Sequence, residues 1–246
     1  MALLLKKRAL FLLIILSFFS QVTFALNFAV DNTGAGSFCV DHSGSGGNFT
    51  TLAVAMAAAN TAGAPHTIDI CPGVGAYTAQ AGALTAANYA GLTIQGTTGI
   101  AANITVNPSG GNEVFDLRQA NITIQHLTAI SGNGNDGIEV RGGNNANILN
   151  VDIQNTGRDG IIIINSTGVT LSNVTITTTV SEGIFANANS TGLVINSADG
   201  TKPSTVITGT GQEGIQVDAA NAELDNITVN TTGREGILLN GLAPML

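Results

Sequence analysis

The chain has 246 residues, with eight basic against sixteen acidic side chains and a net charge of −8. A protein with so few lysines and arginines is unsuited to nucleic acid, because that binding depends on cations that neutralise phosphates. Thirty-one glycines, no tryptophan and many asparagines and threonines argue against a helical bundle. About 220 residues beyond the apolar start can bury the core of one sizeable domain.

The first 25 residues have the three parts of a secretory signal. A basic KKR at 6–8 precedes an apolar run, and the run ends at the small residue Ala25. A membrane anchor is the alternative, since the run is near the lower limit for crossing ~30 Å of hydrocarbon. We predict cleavage, no membrane span afterwards, and a secreted, periplasmic or cell-surface location. Cleavage would leave five basic against sixteen acidic residues.

Cysteine occurs twice, as Cys39 and Cys71. An even count in an exported chain favours a disulfide bridge. Closing this loop of about 30 residues would stabilise the fold by roughly 3 to 4 kcal/mol if the bridge is unstrained. We therefore predict a Cys39–Cys71 bridge.

A short helix is predicted from about Thr51 to Asn60. Thr50 or Thr51 can act as its N-cap and Gly63 ends it. The segment HTIDICPGVGAYTA that follows indicates a strand and a turn.

A motif with an acidic residue directly before an apolar strand recurs through the rest of the chain. The spacings between successive acidic residues are 23, 23, 23, 31 and 22. Such a period is typical of a solenoid, in which each unit buries its apolar side against its neighbours. The acidic residues, here called the acidic column, are Glu113, Asp136, Asp159, Glu182, Glu213 and Glu235.

Each repeat also contains two further short runs in which apolar and polar residues alternate, such as ITIQHLTAI and VTLSNVTI. Alternation of this kind indicates strands with one buried face. Three strands per repeat, each stacked on its counterpart one turn later, predict an all-β, three-sheet parallel β-helix. Parallel connections are right-handed and rungs lie ~4.8 Å apart.

The register of the repeat assigns side chains to the two faces of the first sheet and to a bend between the second and third strands. The bend should carry a ladder of polar residues in left-handed backbone conformation: His126, Asn150, Asn173 and Asn226. The inward row should be Ile138, Val140, Ile161, Ile163, Ile184, Ile215, Val217, Ile237 and Leu239. The outward row should begin with Asp116, Glu139, Ile162, Phe185 and Gln216.

The two ends of a solenoid expose strand edges that need protection. We expect the helix to cover the first turn, which gives a signal at 1–25, a cap region at 26–66 and a β-helix at 67–246. GLAPML at the other end is too short to act as a cap. Either the chain is a piece of a longer protein, which we favour, or a partner or self-association covers this end.

Several segments together resemble a known family. FTTL, the alanine-rich AVAMAAA, TIDICPGVGAY and LTIQG at 92–96 resemble the opening of pectin-lyase-like right-handed β-helix proteins, and units such as DGIEV resemble their repeats. The resemblance covers about residues 38–240. It implies the fold and directs attention to the first sheet, along which that superfamily binds substrates. Many of its members are not enzymes.

The acidic column needs some relief of charge, because carboxylates ~5 Å apart repel by about 3 kcal/mol at an effective dielectric near 20. We expect these side chains to point into water, as acidic residues before glycine commonly do in turns. We expect no cofactor. The alternatives are Ca²⁺ bound by Asp136 and Asp159, or catalysis.

We predict a non-catalytic, secreted or cell-surface module that acts as a scaffold or adhesin. Its contact area should be the outward strip of Ile162, Ile164 and Phe185, since contiguous exposed apolar residues usually mark a covered surface. Its partner should be a polysaccharide or a cell-surface protein.

The main alternative is a polysaccharide lyase or glycoside hydrolase. Asp136, Glu139 and Asp159 could supply the paired carboxylates of a hydrolase, and Arg141 and Arg158 could neutralise a uronate. The chain lacks the NTD, DD, GHG and RIK set of polygalacturonases and the RxPxxR motif of pectate lyases.

A third hypothesis is an ice-binding face of outward threonines. Thr128, Thr175 and Thr228 would form its row, which Asp152 interrupts.

Overall fold

The computed structural model describes residues 25–30, 47–63, 66–72, 77, 82–97, 104–107, 113–130, 135–196 and 205–240. Apart from Ala25, the predicted signal lies outside these residues. Cys39 does too, while Cys71 is buried at the end of a strand, so the Cys39–Cys71 bridge stays a prediction. Within the described part of the chain, no helix is long and apolar enough to cross a membrane.

The described chain consists almost entirely of short strands. One helix, α1 (Leu52–Ala62), and a 3-10 turn (Ala87–Tyr89) interrupt them. The strands are β1 (Leu26–Val30), β2 (Gly47–Phe49), β3 (His66–Ile70), β4 (Gly82–Leu84), β5 (Thr93–Gly96), β6 (Thr105–Val106), β7 (Phe115–Leu117), β8 (Thr123–Ile130), β9 (Ile138–Arg141), β10 (Asn147–Thr156), β11 (Ile161–Ile164), β12 (Thr170–Ser172), β13 (Thr175–Thr179), β14 (Ile184–Ala186), β15 (Val194–Asn196), β16 (Thr205–Thr210), β17 (Ile215–Val217), β18 (Glu223–Leu224), β19 (Ile227–Thr232) and β20 (Ile237–Leu239).

The strands form three parallel columns, which confirms the predicted three-sheet β-helix. The first sheet has the order β4-β7-β9-β11-β14-β17-β20. The second contains β2, β1, β3, β5, the first halves of β8 and β10, then β12, β15 and β18. The third contains β6, the second halves of β8 and β10, then β13, β16 and β19. Each described rung thus contacts only the rungs before and after it.

The second and third sheets are continuous where β8 and β10 pass through the bend, rather than separate as predicted. His126 and Asn150 sit at this bend with φ of 58° and 52°. A single left-handed residue turns the chain, while the residues on both sides keep their pairing with the neighbouring rung. The bend therefore does not break the strand.

The polar ladder at this bend is confirmed for its first three members. Asn150 Nδ2 lies 3.2 Å from His126 Nε2, and Asn173 Nδ2 donates to Asn150 Oδ1 at 3.0 Å. Asn226 has the same left-handed backbone, with φ of 51°, but the longer 31-residue repeat separates it from Asn173. Because these side chains are one rung apart, each one can hydrogen-bond to the next along the axis of the coil.

The inward row of the first sheet forms part of the hydrophobic core. Seven of its predicted members are 0 % exposed, and such burial typically stabilises by about 1.5 to 3 kcal/mol per side chain. Burial of Ile237 and Leu239 was predicted wrongly, since they are 45 % and 43 % exposed. They occupy the inward register on β20, but no described rung stacks beyond them.

Helix α1 lies where the sequence predicts it and covers the N-terminal rungs. Thr51 is the N-cap, with its Oγ1 accepting from the Val54 amide at 3.4 Å, and Gly63 ends the helix with φ of 81°. Leu52, Ala55, Met56 and Ala59 are buried, and the helix contacts β1, β2 and β3. Because β1 and β2 already pair in the second sheet, the coil extends into the predicted cap region.

The glycine after four of the acidic residues, at positions 137, 160, 183 and 214, is required by space. A Cβ on Gly160 would lie 2.5 Å from the Gly183 carbonyl oxygen and 2.7 Å from Ile176 Cγ2. Gly137, Gly183 and Gly214 meet the same obstruction from the carbonyl of the next rung. These carbonyls accept the rung-to-rung hydrogen bonds that begin the first sheet. Glycine therefore sets how closely the rungs stack.

Replacing Gly160 with alanine should lower the free energy of unfolding by roughly 1 to 3 kcal/mol, because the new methyl group overpacks the turn. Chemical denaturation would measure this. The matched control is Gly236→Ala in the same motif, where the Cβ would meet only Val229 Cγ1 at 3.9 Å. Equal losses in the two variants would contradict the steric explanation.

Candidate functional site

The outward row of the first sheet runs in register across six rungs, as predicted. Successive pairs in the strand registers join Asp116, Glu139, Ile162, Phe185, Gln216 and Leu238. The row is acidic on its first two rungs, apolar on the next two and polar at Gln216. Because the parallel strands pair without register slips, acidic, apolar and polar side chains follow one another along one line.

The acidic rungs of this row are covered by their own arginines. Arg118 Nε donates to both carboxylate oxygens of Asp116, at 2.8 and 3.0 Å, and Arg141 forms an ion pair with Glu139. The hydrogen bond to Asp116 is the main cause that raises the pKa of Arg118 above its usual value. Asp116 and Glu139 are consequently buried although they point outward.

Asp136 and Asp159 in the acidic column bond to the next rung instead of pointing into water. Asp136 Oδ1 accepts from the backbone amide of Asp159 at 3.0 Å, and Asp159 Oδ1 accepts from the amide of Glu182 at 3.1 Å. Asp136 is 1 % exposed and Asp159 4 %, and Glu213 is also buried. The expectation of solvated carboxylates is therefore wrong for these three residues, because the rung spacing brings each next to the following turn.

Burial makes the carboxyl groups of Asp136 and Asp159 hold their protons more tightly. Burial is the main cause that raises the pKa of Asp159 to about 8, and a hydrogen bond with Glu182 and the charges of Asp136 and Glu182 act in the same direction. Burial also raises the pKa of Asp136, against the opposing effects of the Asp159 amide and of Arg158. Near neutral pH, Asp159 therefore keeps its proton.

A cleft of about 340 Å³ opens beside Asp159. It is lined by Arg158, Asp159, Ile162, Glu182, Phe185 and Gln216. Ile162 and Phe185 face each other on adjacent strands and form its apolar part. The acidic column forms one wall and Gln216 lies on the following rung. A groove of this composition can hold a ligand with an apolar face and polar edges.

The structure places the predicted catalytic residues in two adjoining groups, which Asp136 connects through Arg158 Nη1 at 3.7 Å and the Asp159 amide at 3.0 Å. Asp159 and Arg158 line the cleft. Asp136 and Glu139 form a compact group with Glu113, in which one oxygen from each lies within 4.8 Å of the others. Arg141 is paired with Glu139. The five residues are therefore linked by contacts, but only Arg158 and Asp159 of them line the cleft.

Ca²⁺ binding stays a prediction, although its ligand set would differ from the expected one. Among the described residues, the group with suitable spacing is Glu113, Asp136 and Glu139. Asp159 is not a member, because its carboxyl group is hydrogen-bonded to Glu182 on the next rung. Glu113 also accepts from Asn135 Nδ2 at 2.5 Å.

The apolar strip is less exposed than predicted. Ile162 is 6 % exposed, while Ile164 and Phe185 are half-buried. Ile162 thus forms the floor of the cleft and is not part of a flat contact surface. A binding role for the strip stays a prediction.

The outward threonine row of the third sheet has a second interruption beyond Asp152. The register runs from Thr128 through Asp152 and Thr175 to Val206 before it reaches Thr228. Thr128 is also buried, and burial raises the pKa of Asp152. A regular threonine face is therefore not formed here.

Glu182 and Gln216 line the cleft but were not among the predicted site residues. Both belong to rows that the repeat period identifies, the acidic column and the outward row. The two rows border one cleft because of the angle between the acidic turn and the first sheet. The repeat period alone does not specify this angle.

The raised pKa of Asp159 predicts how stability changes with pH. A carboxyl group with a pKa of about 8 in the folded state, against 3.8 ordinarily, contributes stability that is full below about pH 4 and is lost as pH rises towards 8. Asp159→Asn keeps an oxygen for the Glu182 amide and removes the ionisation. The variant should be more stable than the wild type at pH 8, by about 1 kcal/mol or more.

Denaturation at pH 5 and pH 8 would measure this difference, with Asp225→Asn, an exposed aspartate, as the control. Parallel stability curves for the wild type and Asp159→Asn would contradict the raised pKa of Asp159.

Comparisons with known proteins give the family but not an activity. No curated protein matches this chain. Two solved A-modules of mannuronan C-5 epimerases from Azotobacter vinelandii are similar: AlgE6 (16 % identity, 77 % of this chain and 68 % of that one, TM-score 0.47) and AlgE4 (14 %, 77 % and 70 %, 0.38). A candidate glycosyl hydrolase from Parabacteroides merdae has 13 % identity over 74 % of this chain and 81 % of that one, with a TM-score of 0.41. These scores carry no argument about function. The family described as "Right handed beta helix region" matches residues 90–244, more than half of the sequence, and the chain belongs to that family.

Proposed function

We propose that this protein is a secreted or cell-surface module that binds a polysaccharide in the cleft over the first sheet, without catalysing a reaction. The observation that carries the proposal is the cleft, where Phe185 and Ile162 lie between Arg158, Asp159 and Glu182 on one side and Gln216 on the next rung. Pockets of this kind combine an apolar floor with a few polar groups that fix orientation.

A polysaccharide suits this cleft for two physical reasons. Sugar rings have apolar faces that can pack on the half-buried ring of Phe185, and hydroxyl edges that can bond carboxyl, guanidinium and amide groups. The cleft also lies along a row that continues over several rungs, so an elongated ligand can extend beyond it. These features support binding of a chain rather than of an isolated small molecule.

The proposal is non-catalytic because the candidate carboxyl groups are already engaged. Asp159 is hydrogen-bonded to Glu182, and Asp136 bonds the amide of Asp159. Glu139 is paired with Arg141. A retaining glycosidase keeps its two carboxyl groups ~5 to 5.5 Å apart and an inverting one ~6.5 to 9.5 Å. A pair in hydrogen-bond contact leaves no room for the scissile bond.

The second candidate is a polysaccharide lyase or glycoside hydrolase. One observation favours it: a carboxyl group with a pKa of about 8 keeps its proton at neutral pH and could act as a general acid. Product formation from any polysaccharide, lost in Asp159→Asn, would establish this alternative in place of the binding module.

The extracytoplasmic location is part of the proposal and rests on the basic start, apolar run and Ala25 of residues 1–25. Detection of the protein in the cytoplasm with its first 25 residues intact would contradict it.

Phe185→Ser should weaken polysaccharide binding by roughly tenfold or more, because buried aromatic anchors commonly dominate such contacts. Affinity electrophoresis against a panel of neutral, acidic and amine-bearing polysaccharides would measure it. Val180→Ser is the control, since Val180 is 64 % exposed and lies outside the cleft. Unchanged migration of both variants on every retarding polysaccharide, or no retardation of the wild type, would overturn the proposal.

A further inference from the structure

The walls of the cleft carry an excess of acidic groups. Arg158 is the one cation among the described lining residues, and it is already engaged. Its Nη1 lies 3.7 Å from Asp136 Oδ2 and 3.4 Å from Asn135 Oδ1. The guanidinium group therefore compensates the carboxyl group of the preceding rung, and Asp159 and Glu182 determine the charge that a ligand meets.

The next rung adds to this negative potential. Glu213 continues the acidic column one turn beyond Glu182 and is 3 % exposed. Its Oε1 lies 3.7 Å from Arg234 Nη1, while its Oε2 is buried without a hydrogen-bond partner among the described residues. Glu213 does not line the cleft, but it lies on the rung of Gln216, which does, so it adds an acidic group to the surroundings of the cleft.

We infer that the cleft selects a glycan whose sugars bear protonated amino groups, with the ammonium group bound between the carboxyl groups of Asp159 and Glu182. This inference rests on the proposed function and names its ligand class. Asp159 keeps its proton in the free protein near pH 6, and an ammonium group that takes the place of this proton brings its own N–H donors to the carboxyl groups of both Asp159 and Glu182. The proton displaced from Asp159 leaves to solvent, and the two carboxyl groups then flank one cation.

The same geometry disfavours an acidic sugar. A uronate carboxylate in the cleft would lie against Asp159 and Glu182, and like charges at close range repel strongly where burial limits solvent screening. Arg158 could offset this only by leaving Asp136, which would leave a buried carboxylate uncompensated. The charges of the cleft thus favour cationic over anionic sugars. The apolar floor can pack equally well against the ring of either kind of sugar.

Isothermal titration calorimetry near pH 6 tests the inference with three probes of equal length. These are oligomers of glucosamine, of N-acetylglucosamine and of galacturonic acid, which are cationic, neutral and anionic. The glucosamine oligomer should bind at least roughly tenfold more tightly than the others. Glu182→Gln should remove most of that preference. Glu223→Gln, which removes an exposed carboxylate of the second sheet, should preserve it.

Titrations in two buffers with different heats of ionisation should show proton release with the glucosamine oligomer. The release should fall towards zero in Asp159→Asn, which has no proton to lose. A purely structural role of Asp159 would leave the release unchanged.

The outcomes separate this inference from the proposed function. Binding of the neutral or anionic oligomer as tight as that of the cationic one, and sensitive to Phe185→Ser, would overturn the ligand class while the glycan cleft stands. If Glu182→Gln and Glu223→Gln reduced the preference for the glucosamine oligomer equally, the net charge of the protein alone would explain the preference. That result would also overturn the ligand class. Failure of all three oligomers to bind would overturn both.

Discussion

The close approach of successive rungs at the acid–glycine turn is the constraint on which the rest of this structure depends. The carbonyl oxygen of Gly183 lies 2.5 Å from the position that a Cβ on Gly160 would take, and it accepts a hydrogen bond from the amide of Ile161 at 2.9 Å. That contact brings each strand of the first sheet into register with the next. Isoleucines then stack inward, and the outward row and the acidic column extend from rung to rung.

Regular stacking also creates the electrostatic problem from which the candidate site arises. A coil that repeats an acidic residue on every turn places carboxyl groups one rung apart, where mutual repulsion and burial both oppose ionisation. Three features reduce this repulsion: hydrogen bonds to the backbone amide of the next rung, arginine pairs at Asp116 and Glu139, and a raised pKa that keeps Asp159 protonated near neutral pH. The cleft lies where Asp159 adjoins Ile162 and Phe185, the apolar stretch of the outward row.

Much of the scaffold could be predicted because it depends on local periodicity. The inward isoleucines, the N-cap of α1 at Thr51 and the left-handed residues at the bend each follow from spacing or residue type. The exposure of Ile162 and of the acidic column could not be predicted this way. An outward position in a strand says which side of the sheet a residue faces, and burial depends on how neighbouring turns close over that side.

The sequence by itself determined the repeat, the three sheets, the capping helix and the alignment of residues into rows, because a solenoid repeats local contacts between neighbouring rungs. Only the tertiary structure decided which rows meet. Asp159, Phe185 and Gln216 belong to three successive rungs and two different rows, and the angle between turn and sheet brings them around one cleft. That angle also buries Asp159 and raises its pKa, because desolvation depends on all the atoms that surround a group and not on its position in a repeat.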